Sequence, residues 1–216
     1  MIKQAIIYDL DGTIINSSRD IIRSFNTAFK INNIKKIDYK FFIDNASKGS
    51  LSLIKKNLKK KQFFKLKKIN KDFHKIYSSN CVKYTNCKIG LRWFLKKFKN
   101  DYKHIICTNK KTKHAKYILE KLKISEYFCS IIGGDSYRSM KPSKKLFDLI
   151  RKKIIKNYNK VIIVGDSDID AQFAKRSKSK FILIRNGYTN KKYKNIYKDF
   201  SINNFYDLNK LLSKKI

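Results

Sequence analysis

The chain has no Cys-x-x-Cys pair, a single proline, seven glycines and few acidic residues, and each scarcity excludes something. Cys81, Cys87, Cys107 and Cys129 are scattered, as are His74, His104 and His114, which argues against a zinc site with its closely spaced ligand pairs. No apolar run approaches the ~18–20 residues of a membrane span, and Met1-Ile2-Lys3-Gln4 opens no charged-then-apolar leader before Asp9. The expectation is a soluble, cytoplasmic protein, with no membrane partner and four reduced thiols. Cys107 and Cys129 fall in or beside apolar runs and are expected to be small buried residues. Low-complexity linkers and internal repeats are absent, and Pro142 is the one proline.

Positive charge is abundant. There are 52 Lys plus Arg against 16 Asp plus Glu, a formal net charge of +36, yet 42% of the residues are apolar. That apolar fraction over 216 residues predicts one folded domain, or one domain with a smaller insert, rather than a disordered chain. Such charge raises nucleic-acid binding first. Its texture argues otherwise, because 45 of the 52 basic residues are Lys and they run along the whole chain, whereas base reading and bidentate phosphate recognition favour Arg. Lys, Ile and Asn, which all have A/T-rich codons, make up nearly half of the chain, so nucleotide bias is a sufficient cause. A solvated lysine-rich surface with no specific nucleic-acid partner is expected. The alternative, a polyanion-binding role, would centre on Lys55-Lys56 and Lys59-Lys60-Lys61.

Along the chain, Lys3 to Asp9 reads as a buried strand that ends abruptly in Asp9-Leu10-Asp11-Gly12-Thr13. From Ser17 to about Ser79 apolar residues recur at helical spacing (Ile21, Ile22, Phe25, Phe29, then Leu51, Ile54, Leu58), which predicts an all-helical insert. Beyond Tyr84 helices and strands alternate, with strands at His104–Cys107, Phe128–Ile132, Lys160–Val164 and Phe181–Ile184. That alternation predicts an α/β fold, a Rossmann-like parallel sheet with helices on both faces. The predicted division is a core of residues 1–16 and 83–216 and a helical cap of residues 17–82 inserted after the first strand.

Ligands of such sheets bind beyond the carboxyl ends of the strands. Gathering the residues there gives Asp9, Asp11, Gly12 and Thr13, then Thr108 and Asn109, then Lys141, then Gly165, Asp166, Ser167, Asp168 and Asp170. Clustered carboxylates suit a hard cation such as Mg²⁺, and Lys with Thr and Asn suits a phosphoryl group. These segments, in this order, resemble the four motifs of the haloacid dehalogenase-like phosphohydrolase superfamily. Within it, Gly133-Gly134-Asp135-Ser136 ahead of Lys141-Pro142, and Tyr84 ahead of Gly90, are most similar to phosphoglycolate phosphatases.

The resemblance implies a Mg²⁺-dependent phosphomonoesterase that hydrolyses a small anionic phosphate ester through an aspartyl-phosphate, with 2-phosphoglycolate the foremost candidate. It implies Asp9 as nucleophile, Asp11 as acid and base, and Thr108 and Lys141 on the phosphoryl oxygens. Asp9, Asp11 (through its carbonyl) and Asp166 would hold the metal, with Ser167 and Asp170 behind them. Gly12, Thr13 and Asn109 are expected to contact substrate. In the insert, Asn45 to Leu51 resembles the family's specificity loop, so Lys48, Gly49 and Ser50 are expected to meet the leaving group, with Lys48 on a carboxylate. Here the chain carries Ala46 and Ser47 where the most familiar version of the loop has a second glycine. Another sugar or metabolite phosphatase, a phosphosugar mutase of the β-phosphoglucomutase kind, and a non-enzymatic basic polyanion-binding protein are the alternatives. A monomer or homodimer is expected. Asp168 is expected to be solvated or a helix cap, Asp135 structural, and the three histidines surface or packing residues.

Overall fold

A computed structural model describes residues 4–46, 49–189 and 193–214. The chain begins with β1 (Gln4–Tyr8), whose run Ala5-Ile6-Ile7-Tyr8 shows no polar alternation because both faces of the strand are covered. Ile6 and Tyr8 enter the apolar cluster on one face, and Ala5 and Ile7 the cluster on the other. A sharp turn then leads into a two-residue strand, β2 (Ile15–Asn16).

Four helices follow: α1 (Ser18–Ile31), α2 (Tyr39–Asn45), α3 (Ser50–Asn57) and, after a 3-10 turn at Lys60–Lys65, α4 (Leu66–Asn80). Their apolar stripes face one another, with Phe25 of α1 stacked on Phe73 of α4 at 3.8 Å between ring centres. The chain returns through β3 (Asn86–Cys87), antiparallel to β2, so the entry and exit of the helical segment form one ribbon. Asp20 ties that ribbon down. Its buried carboxylate accepts from the backbone N–H groups of Tyr84 and Thr85 and from the Thr85 hydroxyl.

The remainder alternates: α5 (Leu91–Lys97), β4 (Tyr102–Cys107), α6 (Thr112–Lys121), β5 (Ser130–Ile132), α7 (Lys144–Lys153), β6 (Lys160–Gly165), α8 (Asp168–Ser177), β7 (Lys180–Ile184), β8 (Phe200–Ile202) and α9 (Phe205–Ser213). Six parallel strands run in the order β5-β4-β1-β6-β7-β8. Residues from α5, α6 and α9 cover one face, and residues from α7 and α8 the other. The architecture is therefore α/β, a parallel sheet with helices on both faces. Tyr8 lies level with Ile106 and Val164, so the residues just past β1, β4 and β6 emerge along one edge.

Two expectations change. The sheet has a sixth strand, β8, which three residues flanked by polar loop did not announce in the sequence. β5 starts at Ser130, not Phe128, and Cys129, ahead of the strand, is exposed rather than buried. Among the described residues no helix is long and apolar enough to cross a membrane, and all four cysteines are free thiols.

Candidate active site

The order reverses at β1, whose neighbours β4 and β6 carry the chain outward in opposite directions, and a crevice opens there beyond the strand ends. Asp9, one residue past β1, donates its backbone N–H to the Val164 carbonyl, which continues the ladder by one step and aims the carboxylate off the sheet. Thr108 and Asp166 follow β4 and β6 at the same level. A cavity of about 380 Å³ lies over them, roofed by α1, α3 and α4.

On its floor, Lys141 Nζ donates to Asp9 Oδ1 at 2.6 Å and to Asp170 Oδ1 at 2.7 Å. Burial alone would push this ammonium's pKa down, but Asp170 and Asp9 together outweigh it and hold the group above the ordinary lysine value. Asn109 positions Lys141, since its side chain donates to the Lys141 carbonyl and accepts from the Lys141 N–H. The amide is thus committed to a backbone clamp. Asp170 also accepts from the Ser167 hydroxyl at 2.6 Å, and the two residues cap α8 reciprocally. Ser167 is the cap, with Asp168 the first residue of the helix.

Asp166 is almost fully buried, and its carboxylate accepts from the Thr13 hydroxyl at 3.0 Å and from the Tyr188 N–H. Burial, then the charges of Asp9 and Asp170, raise its pKa. Burial likewise pushes Asp9 up to about 6, with Lys141 pulling the other way and Asp170 adding to the rise. Gly12 adopts φ +88°, and a Cβ there would lie 2.3 Å from Asp166 Oδ2, so only glycine lets the turn pass so close. Thr13 is fully buried on Asp166, and neither it nor Gly12 lines the cavity. Their direct service is to the Asp166 carboxylate and the turn.

Carboxylate oxygens of Asp9, Asp166 and Asp170 come within 4.8 Å of one another. Counting Asp11, four carboxylates face two ammoniums, Lys110 and Lys141, which leaves two negative charges uncompensated. Hard oxygen donors and a deficit of two positive charges fit one divalent cation. Asp170 is engaged by the Lys141 ammonium and by Ser167, whereas Asp166 accepts only from neutral donors, Thr13 and the Tyr188 N–H. Lys141 holds Oδ1 of Asp9, so Asp9 and Asp166 are the carboxylates better suited to hold it.

Asp11 sits on the roofward side. Its carboxylate accepts from Ser17 Oγ, and Lys110 Nζ donates to it from 2.8 Å at Oδ2 and 2.9 Å at Oδ1. Lys110 in turn donates to the Tyr77 phenol of α4 at 2.7 Å, joining floor to roof. Tyr188 closes the other side, its phenol accepting from the N–H groups of Ser17 and Ser18 and donating to Asn16. Gly49 (φ +81°) precedes α3, and Ser50 Oγ donates to Asn70 at 2.8 Å; both residues line the cavity. Lys48 lies outside the described residues.

Sequence reasoning missed Lys110, Tyr77, Tyr188 and two histidines. His104 packs in the core as expected, but His74 and His114 stack on each other, 5.6 Å apart, in the cavity wall. Burial and the neighbouring lysines lower both to about 4, which keeps them neutral near pH 7. Asp135 accepts from the Thr112 N–H at 2.7 Å at the start of α6.

Comparison with known proteins places this geometry. Residues 6–184 match the family model described as haloacid dehalogenase-like hydrolase. The chain is 31% identical over 218 residues to the phosphoglycolate phosphatase of Aquifex aeolicus, covering 99% of this chain and 98% of that protein. It is 28% identical over 172 residues to that of Haemophilus influenzae, covering 76% and 77%. A crystal structure from Haemophilus somnus, described as a predicted phosphoglycolate phosphatase, superposes with a TM-score of 0.85 at 26% identity, covering 97% of this chain and 98% of that one. The chain belongs to the haloacid dehalogenase-like hydrolase family, as an enzyme of the phosphatase type.

Proposed function

We propose that the protein is a Mg²⁺-dependent phosphomonoesterase that works through an aspartyl-phosphate on Asp9, with 2-phosphoglycolate as its substrate. The observation that carries this reading is the placement of Asp9 at the end of the central strand, between Lys141 and Asp166, with Asp11 on the roofward side. Whole-length relatives named phosphoglycolate phosphatase support the choice of ester. Residues 17–82 act as the cap over a core of residues 1–16 and 83–216.

In the first step a carboxylate oxygen of Asp9 attacks phosphorus and the bond from phosphorus to the ester oxygen breaks. Asp11, protonated at that stage, gives its proton to the departing alkoxide. In the second step Asp11 takes a proton from water, the water oxygen attacks phosphorus, and the bond to Asp9 breaks to release phosphate, leaving Asp9 a carboxylate and Asp11 protonated as at the start. Thr108 and Lys141 hold the equatorial oxygens where negative charge gathers. Asp9, Asp166 and the Asp11 carbonyl would hold Mg²⁺, which supplies neutralisation of the phosphoryl charge when bound. Ser167 and Asp170 keep Lys141 in line.

Phosphate release from a panel of small phosphomonoesters, with Mg²⁺ and with excess chelator, tests the reading. Release from 2-phosphoglycolate above the other esters, lost in chelator, is expected. Undiminished release in chelator would remove the metal from the account, and a mutase would move the phosphoryl group without net release.

A further inference from the structure

Among the described residues three lysines line the cavity, and they are not equivalent. Lys141 is held on the phosphoryl side by Asp9 and Asp170, and Lys111 is exposed. Lys110 is different: its side chain is 9% exposed and its ammonium sits between Asp11, on the roofward side of the core, and Tyr77 in the roof. In the proposed reaction Asp11 faces the leaving group, so the far side of Asp11 is where the atoms beyond the bridging oxygen must lie. A cation stands there and, among the described residues, no carboxylate but that of Asp11 is bonded to it.

Tyr77 adds a second donor. Its phenol accepts from Lys110, and among the described residues no acceptor takes its own proton. Beside the pair Phe73 stacks on Tyr77 and Phe25 on Phe73, while the His114 ring stands edge-on to Tyr77, so an anion there would be largely walled by rings rather than water. The oxygens of Asp11 are meanwhile occupied by Lys110 and Ser17, which must yield before Asp11 can serve the ester oxygen.

We propose that Lys110 and Tyr77 form a carboxylate clamp that selects esters with an acidic leaving group. Arrival of the substrate carboxylate draws Lys110 from Asp11, so that recognition of the leaving group frees the residue that protonates it. In an ester with one carbon between bridging oxygen and carboxylate, the carboxylate oxygens lie roughly 2.6–3.6 Å from the bridging oxygen, given bonds of about 1.3–1.5 Å. An ammonium 2.8 Å from Asp11 is within reach of them. The inference rests on the phosphomonoesterase reading and places specificity in the core residue after Asn109 and in α4.

The test compares kcat/KM for 2-phosphoglycolate and for 2-hydroxyethyl phosphate, which replaces the carboxylate by a neutral hydroxymethyl group. Wild type, Lys110→Met, Lys110→Arg and Tyr77→Phe are measured, with thermal melting to establish that each folds. Wild type should prefer the acidic ester, Lys110→Met should cut that preference at least tenfold, and Lys110→Arg should restore part of it. Tyr77→Phe, which removes one oxygen, should cut it about threefold or more and stands as the test if Lys110→Met does not fold. Equal losses on both esters, or no wild-type preference for an acidic leaving group, overturn the clamp. If 2-phosphoglycolate is poor but 3-phosphoglycerate is preferred to its neutral counterpart in a Lys110-dependent way, the clamp stands and the 2-phosphoglycolate assignment falls.

Discussion

Asp166 is buried beside two other carboxylates and keeps only neutral partners, the Thr13 hydroxyl and the Tyr188 amide. In Asp166→Asn the side-chain oxygen can still take the Tyr188 N–H and the new amide can donate to Thr13, so the cost is electrostatic and functional rather than one of packing. Mg²⁺ at a hundred times its dissociation constant stabilises by about 2.7 kcal/mol, roughly 5–10 °C in Tm for a chain of this size. That shift should appear in wild type and vanish in Asp166→Asn when both are melted with and without the ion. An equal shift in the two proteins would place the ion elsewhere. The motif residues were legible because a parallel sheet sends everything that follows its strands to one edge. Lys110 was not, being one lysine among 45, and its meaning depends on Tyr77, 33 residues away in sequence. Tyr188 was hidden for the same reason, since its partners lie some 170 residues earlier.

Within β4, His104 shows how one element depends on pH. Its Nε2 lies 3.1 Å from the Phe98 carbonyl, which can only accept, so that nitrogen carries the hydrogen and Nδ1 accepts from the Tyr8 hydroxyl at 2.8 Å. Burial lowers its pKa to about 4, against the raising effect of the Phe98 carbonyl. Between pH 6.5 and 4 the unfolded chain therefore binds more protons than the folded one, and this contribution to stability is lost as pH falls through that window. From pH 7 to 5 the loss amounts to about 2 kcal/mol, starting from an unfolded value near 6.5. His104→Gln keeps a donor and an acceptor without the titration, so urea unfolding at the two pH values should show a smaller difference than in wild type; an unchanged difference would refute this source of acid sensitivity. Strand β1 and the helices of the insert were readable from apolar spacing. The β2–β3 ribbon and β8 were not, because two- and three-residue strands are set by their pairing partners and by contacts such as that of Asp20 with Thr85.

Across the whole molecule the charge is divided. A surface rich in lysine gives the net +36, while five of the sixteen acidic residues are Asp9, Asp11, Asp166, Asp168 and Asp170 at one edge of the sheet. On the proposed function, a phosphomonoester would be drawn by the general field and would meet a site that accepts it once a divalent cation offsets the local carboxylates. The helical segment shares its apolar cluster with one face of the sheet, so Tyr77 and Lys110 meet across a continuous packed surface. The central claim, that Asp9 attacks phosphorus, is tested most directly by phosphate release from 2-phosphoglycolate with Mg²⁺ in wild type and in Asp9→Asn, whose amide has the shape of the carboxylate but cannot form the acyl phosphate. Wild type should turn over at roughly 1–10³ s⁻¹, in the ordinary enzyme range. Asp9→Asn should retain less than about a thousandth of that rate with its fold intact. Retention of more than about a tenth would contradict a covalent mechanism at Asp9.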